Sequence, residues 1–113
     1  MDQLDQYRGI VQRILKNYDE MANRSSLKKY ETCLIFDVNH DHYLWKSLAW
    51  AKGTRINNTH VYIRIINHRI YIEEDFTEEG ISADLLREGI PKEDIVLAFH
   101  DPETRKLTDF AVA

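Results

Sequence analysis

The sequence contains few of the residues that cross-link or break up a chain: one cysteine, two prolines and four glycines in 113 residues. A single cysteine cannot form a disulfide within the chain, so a reducing compartment fits best. The glycines form no phosphate-binding loop. No apolar run approaches the roughly 20 residues that span a bilayer, and the N-terminus lacks the basic and then apolar order of a signal peptide. We therefore expect a soluble, cytoplasmic protein that contacts no membrane.

The composition that remains is typical of one compact domain. Hydrophobic residues make up 43% and charged residues 30% of the chain. These fractions are ordinary for a globular protein and too apolar for a disordered one. The length suits a single hydrophobic core, so we predict one domain over residues 1–113.

The charge is mildly acidic and unevenly distributed. The formal net charge is -4, whereas proteins that bind nucleic acid usually carry a net basic surface. Residues 1–72 carry a net charge of +4 and residues 73–113 a net charge of -8. The acidic C-terminal part is therefore either a surface for a charged partner or an ordinary solvated surface.

Hydrophobic spacing predicts a helix followed by strands. Apolar residues recur every three or four positions from Leu4 to Met21 and predict an amphipathic helix. The stretch Asn23-Arg24-Ser25-Ser26 predicts the end of that helix. Weak alternation then predicts a strand from Lys29 to Asp37, and an aromatic-rich stretch predicts a second strand from His42 to Lys52.

Two further strands are predicted to form a hairpin. Gly53 and Asn57-Asn58 indicate the connection that precedes it. Asn67-His68 is expected to be its two-residue turn, because asparagine and histidine tolerate the positive φ angles of a type I′ turn. That turn would set the following cross-strand pairs: Ile65 with Ile70, Ile63 with Ile72, Tyr62 with Glu73 and Arg64 with Tyr71.

The pattern changes after the hairpin. Thr77 is expected to cap a helix whose inner stripe begins at Ile81, and Gly89 is expected to end that helix. The apolar run from Ile95 to Phe99 predicts a buried strand. The predicted fold class is α+β, in which an N-terminal helix packs on an antiparallel four-stranded meander, followed by a helix and a short C-terminal apolar strand.

Residues that could carry chemistry do not form a recognisable site. The stretch from Asp37 to Asp41 imitates the start of a calcium loop, but His42 and Leu48 replace the glycine and glutamate that such a loop requires. His40 and His42 alone fall short of the three ligands that a metal site needs. Cys33 lies in an apolar strand without a neighbouring cation to activate its thiol. We predict no catalytic residue, no metal site and no cofactor.

Aromatic and arginine side chains are the remaining candidates for function. We expect rings of the second strand and of the hairpin to occupy the sheet face that Ile63 and Ile65 do not use. That face is either covered by helices, or a protein interface such as a homodimer contact, or, together with Arg55, Arg64 and Arg69, a surface that stacks on bases. The candidate interaction residues are Tyr43, Trp45, Trp50, Arg64, Tyr71 and His100.

Several stretches together resemble a known family. The longest run is Gly89-Ile90-Pro91-Lys92-Glu93-Asp94-Ile95-Val96-Leu97-Ala98-Phe99-His100, and the chain ends in Phe110-Ala111-Val112-Ala113. Shorter stretches are Tyr7-Arg8, Phe36-Asp37, Asp41-His42-Tyr43 and Trp50. On these stretches the whole chain resembles the XisI proteins, which are controlling factors for excision of the fdxN DNA element in cyanobacteria.

The resemblance implies a role rather than a reaction. XisI proteins act with a partner protein, XisH, which is similar to restriction-endonuclease folds, while a separate recombinase cuts and joins the DNA. The family supplies no catalytic residue that could be assigned to this chain. The resemblance therefore implies a non-catalytic accessory or regulatory protein of DNA element excision that acts with a XisH-like partner. Three alternatives stay open: a DNA-binding architectural factor, an antitoxin-like inhibitor of the XisH-like partner, and a small-molecule or metal-dependent enzyme built around His40, His42 and His100.

Overall fold

The computed structural model describes residues 2–24 and 30–113, which contain a five-stranded sheet and three α-helices. The elements in chain order are α1 (Gln3–Asn23), β1 (Glu31–Asp37), β2 (His42–Ala51), β3 (Thr54–Ile66), β4 (Arg69–Asp75), α2 (Ile81–Arg87), a 3-10 turn (Lys92–Asp94), β5 (Ile95–Leu97) and α3 (Pro102–Arg105). Strands β1 to β4 form an antiparallel meander, and β5 pairs with β4 in parallel. The α+β prediction is confirmed, and the short apolar strand joins the same sheet as its fifth strand.

One hydrophobic cluster fills the space between the sheet and the helices. Tyr43, Ile63 and Ile72 of the sheet are fully buried in it. Leu15 of α1 and Leu85 of α2 belong to the same cluster. Both helices therefore lie on one side of the sheet. Full burial of a leucine or isoleucine side chain stabilises the fold by about 1.5–3 kcal/mol, so this cluster is the main source of stability.

The N-terminal helix forms as its spacing predicts. The Asp2 carboxylate caps it by accepting a hydrogen bond from the backbone amide of Asp5 (2.8 Å). Ser25, Ser26 and the predicted strand start at Lys29 lie outside the described residues. None of the described helices combines the length and the apolar character needed to cross a membrane.

The β3–β4 hairpin has the predicted turn and most of the predicted register. Asn67 and His68 have φ angles of 50° and 64°, as a type I′ turn requires. The pairs of Ile65 with Ile70, Ile63 with Ile72 and Arg64 with Tyr71 are confirmed. Tyr62 pairs with Glu74 rather than Glu73, because a bulge between Tyr62 and Ile63 shifts the register by one residue.

The connection between β2 and β3 is shorter than predicted. Lys52 and Gly53 form the turn with φ angles of 51° and 79°. Asn57 and Asn58 lie inside β3, where they pair with Leu48 and Ser47 of β2. The prediction that Asn57-Asn58 marks a connection is therefore wrong, since cross-strand pairing overrides the turn preference of asparagine.

Helix α2 starts later than predicted, and Thr77 does not cap it. The carboxylate of Asp75 organises this segment instead: Oδ1 accepts from the Thr77 amide (3.0 Å), and Oδ2 accepts from the Ile81 amide (2.6 Å). The N-cap position is held by Gly80, whose φ angle is 89°. The predicted end is confirmed, because Gly89 adopts a φ angle of 91° directly after the last turn.

Arg105 holds the C-terminal segment against the sheet edge. Its guanidinium donates to the carbonyls of His100 (2.9 Å), Ala98 (3.2 Å) and Val112 (3.4 Å). The Ala111 amide donates to the Ile95 carbonyl of β5 (2.9 Å), which extends the hydrogen-bonding pattern of the sheet. A single arginine thus joins three points of the last sixteen residues.

We expect the Arg105→Ala substitution to lower the free energy of unfolding by about 2 kcal/mol, because three carbonyls lose a charged donor. Arg105→Lys should recover only part of this loss, since an ammonium cannot reproduce the planar fork. Urea unfolding curves measure the change, and Lys106→Ala is the matched control on the neighbouring exposed side chain. Equal stability of the Arg105 and Lys106 alanine variants would contradict the assignment.

Candidate protein-interaction surfaces

The sheet has a second face, opposite α1 and α2, which we call the open face. Strand alternation defines it: the buried residues of β2 point towards the helices, and the residues between them point away. Ile35 is 48% exposed on this face, where its Cα partner is Leu44. Leu44 in turn pairs with Tyr62. The side chains that share the open face include Ile35, Leu44, Leu48, Tyr62, Arg64 and Tyr71.

Two pairs of polar groups lie on the open face. Arg64 Nη1 lies 3.4 Å from Glu73 Oε2. His42 Nδ1 lies 2.8 Å from the Tyr62 hydroxyl, and the two rings are 5.9 Å apart. A surface of aliphatic and aromatic side chains with a satisfied arginine is typical of a protein interface.

Tyr43 and Trp45 are not part of this surface, which corrects the sequence-based expectation. Tyr43 is fully buried and pairs with Ile63, and Trp45 is 9% exposed. Tyr43 and Trp45 have odd residue numbers in β2, whereas Trp50 has an even one and therefore lies on the opposite face. Because side chains alternate along a strand, the three rings could not share one face. The same alternation in β1 and β2 would have revealed Ile35 and Leu44, which the sequence interpretation missed.

Trp45 is held between α1 and β3. Its ring lies 5.8 Å from that of Tyr18 and 4.9 Å from that of His60, and its Nε1 donates to Asp19 (3.1 Å). Burial, together with the hydrogen bond to Asp84, raises the pKa of Tyr18 to about 12. Burial lowers the pKa of His60, so its ring is held in the neutral form.

Asp41 links the first helix to the start of β2. Arg8 donates to both carboxylate oxygens (2.8 and 3.1 Å), and the Tyr43 hydroxyl donates to Oδ1 (2.8 Å). Burial opposes ionisation of Asp41, but the hydrogen bonds from Arg8 and Tyr43 outweigh it and hold the pKa of this carboxyl below its usual value. Burial and the bond to Asp41 raise the pKa of Tyr43.

The histidines and aspartates of the first turn are engaged separately. His40 Nδ1 contacts Asp37 (2.9 Å), and His42 contacts Tyr62 (2.8 Å), while Asp41 accepts from Arg8. Within residues 2–24 and 30–113, the structure brings no three His, Cys, Asp or Glu side chains together in a geometry suited to a metal ion.

Trp50 lies on a projecting part of the sheet. The pairing of β2 with β1 ends at Leu48, and the pairing of β3 with β4 begins at Val61. Among the strands that the structure describes, residues 49–58 therefore form a two-stranded extension, which we call the ribbon. Trp50 is 69% exposed on it, and the Arg55 guanidinium lies 5.3 Å from its ring centroid.

The structure brings together only two of the six candidate residues. Arg64 and Tyr71 are direct cross-strand neighbours on the open face. His100 lies beyond β5, where its ring is 4.5 Å from that of Phe99. The three arginines considered for DNA binding are also dispersed. Arg64 lies nine positions after Arg55 in β3, a span of about 30 Å, and Arg69 donates to the Ala113 carbonyl.

Comparison with known proteins identifies a family and solved structures that share this architecture. The XisI protein family matches residues 1–112. The solved structure of the fdxN element excision controlling factor XisI from Anabaena variabilis superposes with a TM-score of 0.87 at 40% identity, covering 99% of this chain and 100% of that one. A XisI-like protein from Anabaena variabilis gives a TM-score of 0.86 at 32% identity, covering 97% and 99%. No curated protein matches the chain. The chain belongs to the XisI family.

Proposed function

We propose that this chain is a non-catalytic accessory protein of DNA element excision, which binds a XisH-like nuclease-fold protein through its open face. Family membership and the likeness to an excision controlling factor support the regulatory role. The exposed Ile35 and the half-buried Leu44, Tyr62 and Tyr71 of the open face carry the assignment of the surface, because helices α1 and α2 lie on the opposite side. A cytoplasmic location belongs to the same proposal.

The acidic C-terminal part is the weaker candidate for this contact. Many of its carboxylates already serve the fold: Asp75 binds the start of α2, Asp84 accepts from Tyr18 (2.5 Å), and Asp94 accepts from Tyr7 (2.5 Å). These groups cannot turn outwards to a basic partner without losing internal hydrogen bonds, whereas the open face can be covered without any rearrangement.

Co-purification with a XisH-like protein from the same genome tests the proposal. We expect a complex with a micromolar or lower dissociation constant. The Ile35→Glu substitution should weaken it at least about tenfold, because a charge would be buried against apolar partner surface. The matched control is Leu107→Glu, which introduces the same charge at a side chain that is 86% exposed in the C-terminal segment.

Two results would overturn the proposal: no complex at micromolar concentrations, or a complex that Ile35→Glu and Leu107→Glu weaken equally. An antitoxin-like role would be recognised by growth arrest when the partner is expressed alone and by its relief on co-expression. A DNA-binding role would instead require duplex binding that falls steeply with salt and is lost on charge reversal at Arg55, Arg64 and Arg69.

A further inference from the structure

None of the other described strands supports the ribbon. Within the described strands, residues 49–58 pair only within β2 and β3, from Ala49 with Ile56 to Ala51 with Thr54. A two-stranded ribbon is only marginally stable by itself in water. It nevertheless carries the exposed Trp50, whose ring is the kind of anchor that dominates binding energy in protein interfaces.

The ribbon is also basic. Lys52 and Arg55 lie on it, and the sequence has no aspartate or glutamate from residue 42 to residue 72. The Arg55 guanidinium already lies near the Trp50 ring, so aromatic and positive groups are presented together. A complementary site must therefore offer both apolar rings and negative charge.

A cleft of this character lies at the root of the ribbon. It has a volume of about 390 Å³, within the range of binding pockets for side chains and small molecules. Phe76 at its mouth is 75% exposed, and Glu78 and Glu79 supply negative charge. The residues that line the cleft are Tyr18, Trp45, His60, Phe76, Thr77, Glu78 and Glu79.

We propose that two copies of this chain form a symmetric dimer in which the ribbon of each copy inserts Trp50 and Arg55 into the cleft of the other. The rings of the cleft receive the indole and the guanidinium, and its glutamates pair with Lys52 and Arg55. The contact is made twice, once in each direction, as a two-fold axis requires.

The position of the cleft along the chain suits this exchange. His60 of the cleft lies five residues after Arg55 in β3, so the Trp50–Arg55 pair is about 16 Å from the cleft along the strand. Trp50 and Arg55 lie on the open side of the ribbon and the cleft opens on the helix side, so the two ribbons must cross in opposite directions, and the strong twist of a two-stranded ribbon turns each tip towards the root of the other. The charges of ribbon and cleft are complementary in both contacts of the dimer, because the basic ribbon of each copy meets the acidic cleft of the other.

Sedimentation velocity over a range of protein concentrations tests the dimer. The wild-type chain should sediment with twice its mass of 13.4 kDa. Trp50→Ala should raise the dissociation constant at least about 30-fold, as expected for a central aromatic anchor. Leu107→Ala is the matched control, because it removes an exposed apolar side chain outside the ribbon and the cleft.

Charge exchange between the two sites gives a second, independent test. A ribbon variant (Lys52→Glu with Arg55→Glu) and a cleft variant (Glu78→Lys with Glu79→Lys) should each be monomeric, since both contacts then join like charges. A mixture of the two variants should form a heterodimer, because each contact again joins opposite charges.

The dimer proposal is independent of the proposed function, since both tests use this chain alone. A wild-type chain that stays monomeric at millimolar concentration would overturn it. A dimer that persists in the ribbon and cleft variants but is lost in Ile35→Glu would also overturn it and would assign self-association to the open face.

Discussion

The Asp41→Asn substitution is expected to lower the free energy of unfolding by about 3 kcal/mol and the melting temperature by about 10 °C. Asp41 accepts three hydrogen bonds, two from Arg8 and one from Tyr43, and its side chain is only 13% exposed. Asparagine has one acceptor oxygen in place of two and no charge, so it leaves the guanidinium without its bidentate partner.

Asparagine is the appropriate replacement because the backbone at Asp41 is unusual. The φ angle of this residue is 59°, a left-handed conformation that asparagine tolerates and alanine does not. The carbonyl of Asp41 also accepts from the Ile65 amide (3.2 Å), so a backbone change would disturb β3. The Asp41→Asn variant thus changes the carboxylate and leaves the turn intact.

The pH dependence of stability gives the expected result a second signature. Because the folded pKa of Asp41 lies below its unfolded value of about 3.9, its contribution is fully present above pH 4 and is lost as the pH falls through the folded pKa. Urea unfolding at neutral pH should therefore separate wild type from Asp41→Asn, and the two curves should converge in acid.

Asp37→Asn is the matched control for this prediction. Asp37 is 45% exposed in the same turn and contacts His40, so its replacement removes an equivalent charge from a solvated site. We expect a much smaller change than at Asp41. If Asp41→Asn unfolds at the same urea concentration as wild type at neutral pH, the network of Arg8, Asp41 and Tyr43 does not stabilise the fold.

Local signals in the sequence predict the parts of this fold that depend on neighbouring residues. The stripe of α1, the turn at Asn67-His68 and the end of α2 at Gly89 all follow from spacing or from φ preference, and all three are confirmed. The Asn57-Asn58 pair and Thr77 carry equally local signals, but the sheet and the Asp75 carboxylate override them. Local preference is a weak influence where long-range pairing is available.

The features that the sequence did not reveal are mostly contacts between segments that are far apart in the chain. Arg8 and Asp41 are 33 residues apart in the sequence, and Tyr7 and Asp94 are 87 residues apart. Hydrophobic periodicity reports only on nearby residues, so it cannot predict either pair. The bulge between Tyr62 and Ile63 inserts one residue and changes the register without a glycine or proline to mark it. Strand alternation alone was enough to predict that Trp50 and Trp45 lie on opposite faces of β2, so this part of the candidate surface could have been predicted from the sequence.

Trp45→Ala is expected to cost about 4 kcal/mol of unfolding free energy, whereas Trp50→Ala should change it by less than about 0.5 kcal/mol in dilute protein. Trp45 is 9% exposed among the rings of Tyr18 and His60, so its loss leaves a cavity between α1 and β3. Trp50 is 69% exposed, so its loss leaves no cavity. Thermal unfolding of the two variants measures the difference.

Fluorescence separates the two indoles without relying on stability. Trp50→Phe leaves Trp45 as the remaining emitter, which should emit at short wavelength and resist quenching by iodide. Trp45→Phe leaves Trp50, which should emit at longer wavelength and be quenched in dilute protein. If dimerisation covers Trp50, its quenching should fall as the protein concentration rises. Equal quenching of both indoles in dilute protein would contradict the division between a core tryptophan and a binding tryptophan.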